Sequence, residues 1–162
     1  MNIIQERRIS CCFTGHRPVK LTAPERTIRQ WLEKQIDRAI EDGYRIFITG
    51  CAMGVDIWAG QIVLRRKAQN PDIRLIAANP WPEMADSWKP IWKDQYRELL
   101  EKADEVKTIS NNYYKFVYQK RNRWMVDHSS RLIAYYNGTP GGTLEIILYA
   151  EKSGLEVIRY GC

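Results

Sequence analysis

The sequence alternates short apolar runs with longer segments that carry apolar residues at every third or fourth position. The runs predict β-strands, and the longer segments predict amphipathic α-helices. The predicted strands are residues 9–14, 45–49, 73–78, 105–109, 132–136 and 156–159, and the predicted helices are residues 24–42, 56–67, 87–103, the second half of 111–130, and 143–152. Because the strands are almost continuously apolar, we expect a mostly parallel sheet with helices on both faces. The predicted fold class is a three-layer α/β sandwich.

Residue types at the helix ends fit these boundaries. Pro24 suits the first turn of its helix, and Gly43 suits the left-handed position after the last turn. In the segment 87–103, Ser87 is a candidate N-cap, and Pro90 is tolerated only in the first turn. The final helix, residues 143–152, is predicted to be capped by Gly154.

Length and composition restrict the class of protein. The 162 residues are 44% hydrophobic and 27% charged, a balance typical of globular proteins and not of disordered or fibrous ones. This length predicts one domain over residues 1–162. Residues 1–10 hold no apolar run of signal-peptide length, and no apolar segment of about 20 residues occurs. We therefore expect a cytoplasmic protein with no membrane partner.

The cysteines and histidines do not form a metal-binding pattern. Cysteine occurs at Cys11, Cys12, Cys51 and Cys162, so no C-x-x-C spacing is present. The two histidines, His16 and His128, are far apart in the sequence. We expect reduced thiols and no bound metal ion.

The loop after the first predicted strand carries polar side chains at the carboxyl edge of the sheet, where parallel sheets bind ligands. Thr14, Gly15, His16 and Arg17 supply a hydroxyl, a tight backbone turn, an imidazole and a guanidinium. Arg17 is either a phosphate-binding cation or a solvated loop residue. His16 is more simply a hydrogen-bonding residue than a general base, because no Asp or Glu lies near it in the sequence.

Two further strand-to-helix loops are rich in glycine. Gly50 and Gly54 precede one helix, and residues 137–143 precede another, ending in Gly141, Gly142 and Thr143. Such loops let backbone N–H groups and the helix dipole approach an anion. The spacing matches neither the dinucleotide fingerprint nor a Walker loop. Two such loops in one sheet favour a phosphate site over structural turns alone.

The acidic residue beside the second loop has two interpretations. Asp56 opens the helix that follows Gly54, where a carboxylate commonly caps or occupies the first turn. The alternative is a hydrogen bond from a ribose or a base to this carboxylate.

Ordered motifs in these segments resemble known families. Residues 50–59, GCAMGVDIWA, resemble the G-x-A-x-G-[IV]-D-x-x-A loop of the DNA-processing protein A (Smf) Rossmann domain. Residues 121–134 and the PGGT at 140–143 resemble the R-[KN]-x-x-M helix, strand and PGG-x-GT loop of the Lonely Guy phosphoribohydrolases. Both belong to the SLOG superfamily. FTGHRP at 13–18 with RNRWMVD at 121–127 is most similar to its YpsA-like branch of unknown function.

The resemblance implies a Rossmann-like fold and a pocket for a nucleotide or a nucleotide-derived ligand of unknown identity, with no certain cofactor. It places Arg121 and Asn122 at the pocket and gives Gly141, Gly142 and Thr143 the role of the phosphate loop. The favoured function is ligand binding in a sensory or regulatory role.

The alternative implied by the same resemblance is N-glycosidic hydrolysis of a nucleoside 5′-monophosphate. Arg121 and Glu145 would be the catalytic residues. Counted from Thr143, however, the catalytic glutamate of the Lonely Guy motif falls at Ile146, and Glu145 is one residue early. On a helix this is a rotation of about 100°, which moves the carboxylate away from the pocket unless the shorter loop compensates.

A basic and aromatic stretch spans residues 113–124 and contains no acidic residue. Interleaved cations and rings are typical of single-stranded nucleic acid binding, which is a third candidate function. Two other interpretations stay open: the rings pack on the sheet with a solvated cationic face, or the stretch forms a homodimer or higher oligomer interface. The same choice applies to Trp81, Trp88 and Trp92, which wall either the pocket or that interface. The net charge of +6 permits a polyanionic partner without selecting one.

Overall fold

A computed structural model describes residues 2–160 of the chain. Cys162, which is expected to be a reduced thiol, lies outside the described residues. The strands are β1 (Ser10–Gly15), β2 (Ile46–Thr49), β3 (Arg74–Asn79), β4 (Glu105–Thr108), β5 (Arg131–Tyr135) and β6 (Glu156–Tyr160). The α-helices are α1 (Ile3–Arg8), α2 (Glu25–Glu41), α3 (Val55–Gln69), α4 (Pro90–Lys102), α5 (Val117–Asp127) and α6 (Gly142–Lys152). A 3-10 turn covers Pro18–Lys20.

The strands form one sheet in the order β4-β3-β2-β1-β5-β6, and every neighbouring pair is parallel. The chain moves outward from β1 to β4 and then returns to place β5 on the other side of β1. Such a reversal opens a crevice between the loops that follow the two strands. Because Gly15 lies opposite Tyr135 in the register, the loops after β1 and β5 begin side by side.

Helices cover both faces of this sheet. One apolar cluster joins the sheet to α2, α3 and α4, and a second joins it to α5 and α6. Alternate residues of β1 divide between them: Cys11 and Phe13 lie in the first cluster and Cys12 in the second. Burial on both faces explains the continuous apolar runs of the sequence. The predicted fold class, a Rossmann-like three-layer α/β sandwich, is confirmed, with all described strands parallel.

The structure corrects two predicted helix starts and contains one helix that the sequence did not predict. Ser87 is not the cap of α4, because Lys89 is its N-cap and Pro90 its first residue. Pro24 is the N-cap of α2 and does not lie inside its first turn. Helix α1 was not predicted: it buries no residue and depends on a capping box between Asn2 and Gln5. A helix without a buried face has no apolar periodicity to reveal it.

The structure describes three of the four cysteines. Cys11, Cys12 and Cys51 are free thiols, all buried, and burial raises the pKa of Cys12 to about 12.

Between residues 2 and 160, no cluster of three or more His, Cys, Asp or Glu side chains is arranged to hold a metal ion. Within the same range, no helix has the length and apolar character needed to cross a membrane.

Candidate functional site

A cleft of about 360 Å³ lies at the carboxyl ends of β1, β2 and β5, at the reversal point of the sheet. It brings together the following predicted ligand-binding residues: Thr14, Gly15, His16, Arg17, Asp56, Arg121, Asn122, Gly142 and Thr143. Four residues that were not predicted also line it: Val19, Lys20, Ala52 and Tyr118. The cleft is therefore assembled from loops and helix ends that are far apart in the sequence.

His16 connects the two loops that flank the crevice. Its Nε2 accepts a hydrogen bond from the backbone N–H of Asn137 at 3.1 Å, and the Asn137 side chain donates to the carbonyl of Lys20 at 3.0 Å. The imidazole also stacks on Tyr136, with ring centroids 5.7 Å apart. Because Nε2 is an acceptor, the ring is neutral in this arrangement. Burial and the nearby Lys20 lower the pKa of His16, while the Asn137 side chain acts in the opposite direction.

Because His16 accepts this bond only when its ring is neutral, we predict that acid weakens the connection between the loops after β1 and β5. Because the pKa of His16 is lower in the folded protein, the unfolded chain takes up this proton first as the pH falls below about 6.5. The stability tied to neutral His16 is therefore present above that pH and is lost as the pH falls towards the folded-state pKa. Urea unfolding between about pH 7.5 and pH 5 measures the loss. The amide oxygen of the glutamine in His16→Gln accepts a hydrogen bond at every pH, so this variant should not show the part of the stability loss that His16 causes. If the free energy of unfolding falls equally in both proteins, His16 is not its cause.

Two cations lie at the mouth of the cleft. Arg17 is exposed, and its guanidinium lies 5.8 Å from the ring centre of Tyr118. The Lys20 ammonium would be 3.4 Å from a Cβ atom placed on Gly141, so it lies against the glycine-rich loop before α6. The only sequence signal for Lys20 is its place two residues after Pro18, which becomes informative once the 3-10 turn is known.

Arg121 is the third cation and is held inside the wall of the cleft. Its guanidinium donates to the carbonyl oxygen of Gly50 and, through Nε, to Asn122 Oδ1 at 2.8 Å. It is only 7% exposed, and Asp56 beside it is 6% exposed. A Cβ atom on Gly50 would lie 2.8 Å from Asp56 Oδ2 and 2.9 Å from Arg121 Nη1. Position 50 is glycine because a side chain would collide with both charged groups.

Asp56 is the carboxylate among the residues that line the cleft. One oxygen, Oδ2, accepts from the backbone N–H of Ala52 at 3.3 Å, and the other, Oδ1, has no hydrogen-bond partner within residues 2–160. Burial raises the pKa of Asp56, and Arg121, the Ala52 N–H and Arg17 oppose that rise. Burial lowers the pKa of Arg121, while Asp56 raises it. Each group therefore favours the charged form of the other within a wall that penalises both.

The N-terminus of α6 forms the opposite side of the cleft. Its N-cap is Gly141, with φ 145°, and no side chain caps the helix. Gly142 and Thr143 line the cleft, and a Cβ atom on Gly142 would meet nothing within 4 Å. Uncapped N–H groups at the positive end of a helix bind anions.

Four predicted residues lie outside the lining. Gly50 lies behind it, beside Asp56 and Arg121. Gly141 is exposed and precedes Gly142 at the N-cap of α6. Gly54, with φ 90°, packs beneath Pro18 and supports the loop after β1. Glu145 is exposed and lines a separate cleft of about 40 Å³, while Ile146 is buried. The main cleft therefore does not receive the Glu145 carboxylate.

The basic and aromatic stretch divides into two parts. Tyr113, Tyr114 and Phe116 are 57%, 39% and 58% exposed, so the interpretation that the rings pack on the sheet is wrong for these three. It holds for Tyr118 and Trp124, which pack against the first and second apolar clusters. Tyr118 lines the cleft, and the indole N–H of Trp81 donates to its hydroxyl at 3.4 Å. Trp81, Trp88 and Trp92 all pack against the first apolar cluster. Of the three tryptophans, Trp81 is the one that contacts the cleft wall.

Sequence comparison relates the chain to a described family. The profile of the YspA SLOG family (YpsA) matches residues 11–157. A UPF0398 protein from Bacillus thuringiensis (strain Al Hakam) is 26% identical over 155 residues, which cover 91% of this chain and 84% of the relative. The matched region includes every residue that lines the cleft.

Structural comparison identifies similar folds. DNA processing protein A from Streptococcus pneumoniae aligns with a TM-score of 0.63 and 15% identity over 97% of this chain and 51% of that one. DNA processing protein A from Helicobacter pylori, a protein with a single-stranded DNA binding mode, aligns with a TM-score of 0.63 and 14% identity over 97% of this chain and 66% of that one. The chain thus spans about half of the first protein and slightly less than two thirds of the second. At these identities the likeness establishes the fold.

Proposed function

The chain belongs to the YspA SLOG family, and from this membership and the cleft we propose that it binds a nucleotide or a nucleotide derivative through phosphate. We further propose that binding serves a sensory or regulatory role. The family assignment supports a nucleotide-related ligand, and the charge of the cleft supports recognition through an anionic group.

The observation that carries the proposal is the excess of positive charge around one concave site. Arg17, Lys20 and Arg121 line the cleft together with a single carboxylate, Asp56. The uncapped N-terminus of α6 adds N–H donors to the same cleft. Guanidinium, ammonium and helix N–H groups are the donors that bind phosphate. A ligand with one phosphate group would neutralise this excess.

Asp56 supports a ligand that also carries a hydrogen-bond donor. Its Oδ1 lacks a partner within the described chain, and an unpaired buried oxygen costs about 1–3 kcal/mol. A ribose hydroxyl or an amino group of a base offers such a donor. Phosphate and donor together are the features of a nucleotide.

The geometry favours binding over the N-glycosidic hydrolysis that the Lonely Guy motif implies. That reaction needs a carboxylate near the scissile bond. Glu145 lies outside the cleft, and the buried Asp56 carboxylate already accepts a hydrogen bond from the Ala52 N–H.

Replacing Gly142 by valine provides the direct test of phosphate binding. The new side chain extends into open space, so the folded state should be retained, with a stability change within about 0.5 kcal/mol. The same side chain would block the helix N–H groups. Losing one charged hydrogen bond of about 1.5–3 kcal/mol lowers affinity roughly tenfold to hundredfold. Thermal-shift screening against AMP, ADP-ribose and NAD identifies the ligand, and calorimetry measures the loss.

Thr139→Val is the matched control, because Thr139 is exposed in the same loop and does not line the cleft. We expect it to bind as the wild type does. The proposal fails if no nucleotide-type ligand raises the melting temperature, or if Gly142→Val binds with wild-type affinity.

A further inference from the structure

We propose that an aromatic shelf formed by Trp81, Tyr113 and Tyr118 binds the base of the ligand. The inference rests on the proposed function and narrows it: the ligand joins a phosphate group to a planar aromatic base. The shelf would determine which phosphate-containing compounds bind tightly, because the cations and the N-terminus of α6 contact only the phosphate group.

The three rings form a continuous cluster. The centroids of Trp81 and Tyr113 are 5.6 Å apart with planes tilted by 58°, and those of Tyr113 and Tyr118 are 6.3 Å apart with planes tilted by 56°. The Trp81 indole N–H also donates to the Tyr118 hydroxyl at 3.4 Å. These contacts restrain the rings before any ligand arrives, which reduces the entropic cost of stacking.

The shelf is continuous with the phosphate end of the cleft. Tyr118 lines the cleft itself, and the guanidinium groups of Arg17 and Arg121 lie 5.8 Å and 5.7 Å from its ring centre. Cations therefore adjoin one side of the shelf. A phosphate held by these cations places the attached base beside the rings.

The outer end of the shelf is open to solvent. Tyr113 is 57% exposed, and Trp81 is half-buried. Both lie in loops at the carboxyl edge of the sheet, Trp81 after β3 and Tyr113 after β4. Exposed rings held beside a cationic cleft offer the stacking surface that bases use, whatever their sequence.

A free nucleotide and a nucleotide within a single strand present the same base and phosphate. The experiment therefore compares ribose 5-phosphate, the four nucleoside monophosphates AMP, GMP, CMP and UMP, and a short single-stranded oligodeoxynucleotide. We expect the affinity for the oligodeoxynucleotide to fall steeply with added salt, because several phosphates release counterions when it binds. A free nucleotide shows a much smaller salt dependence.

Calorimetric titration of the wild type, Tyr113→Ala and Phe116→Ala tests the shelf. We expect the wild type to bind at least one monophosphate about tenfold or more tightly than ribose 5-phosphate, the ratio expected from one stacked base. Tyr113→Ala should lose most of this ratio and keep its affinity for ribose 5-phosphate. Phe116, 58% exposed but outside the shelf, supplies the matched control, and its variant should retain the ratio.

The possible failures are distinguishable. Equal affinity for ribose 5-phosphate and all four monophosphates, or a ratio unchanged in Tyr113→Ala, overturns the shelf and leaves the phosphate site standing. Absence of binding by ribose 5-phosphate, the monophosphates and the oligonucleotide alike overturns both. Quenching of tryptophan fluorescence by the bound base provides a second readout, and it should disappear in Trp81→Leu.

Discussion

Replacing Arg121 by methionine is expected to reduce the free energy of unfolding by about 3 kcal/mol and to abolish nucleotide binding. Methionine preserves much of the apolar volume and removes the charge. The buried carboxylate of Asp56 then loses the cation that most strongly opposes the rise of its pKa on burial, and the carbonyl of Gly50 loses its donor. An uncompensated buried charge is among the larger single-residue penalties known in proteins.

Chemical denaturation at neutral pH measures this penalty, and the double variant Arg121→Met with Asp56→Asn identifies its source. Because the amide carries no charge, the double variant should recover part of the lost stability. Non-additivity of this kind is expected for groups that compensate each other. If the two substitutions simply add, Arg121 and Asp56 do not form a coupled pair.

The Arg121→Met penalty should also shrink on acidification. Burial already raises the pKa of Asp56, and removing Arg121 removes the first of the influences that oppose the rise. A carboxyl whose pKa is higher in the folded state takes up a proton on folding, so acid stabilises that state relative to the unfolded chain. Unfolding curves at successively lower pH should therefore bring the variant closer to the wild type.

Replacing Gly15 by alanine is expected to destabilise the fold by about 3 kcal/mol through overpacking. The added Cβ would lie 2.4 Å from Val55 Cγ2 and 2.5 Å from Val55 Cβ, where the end of β1 meets the first turn of α3. Neither the strand nor the helix can retreat without disturbing the loops that frame the cleft. Thermal or urea unfolding provides the measurement.

Removing the opposing side chain should offset part of this cost. In Gly15→Ala with Val55→Gly, the whole Val55 side chain is absent, Cβ included, so the double variant should lose less stability than the sum of the two single variants. Gly142→Ala is the matched control, because its Cβ enters open space. If Gly15→Ala unfolds as the wild type does, the close approach of Gly15 and Val55 does not constrain the fold.

The sequence alone determined the fold class, and it predicted a ligand site at the carboxyl edge of the sheet. The apolar runs of β1, β2 and β5 and the three-to-four spacing in α2 report burial directly, since each buried face leaves its own periodicity. Glycine-rich loops at strand ends then indicated the carboxyl edge. Helix α1 was not predicted because it buries no residue. Strand β4 gave only a weak signal because its residues are exposed.

Only the tertiary structure decided which residues meet in the cleft and why some must be small. Gly15 was assigned to a tight turn, but its closest constraint is Val55 in another element. Lys20 carried no motif, and Arg121 becomes the partner of Asp56 only when β2, α3 and α5 are assembled. Local periodicity records whether a side chain is buried, whereas its neighbours depend on the strand order and the packing of distant segments. The sequence therefore predicted an anion site at the carboxyl edge of the sheet, and the three-dimensional arrangement shows which cations, which buried carboxylate and which aromatic ring line the cleft there.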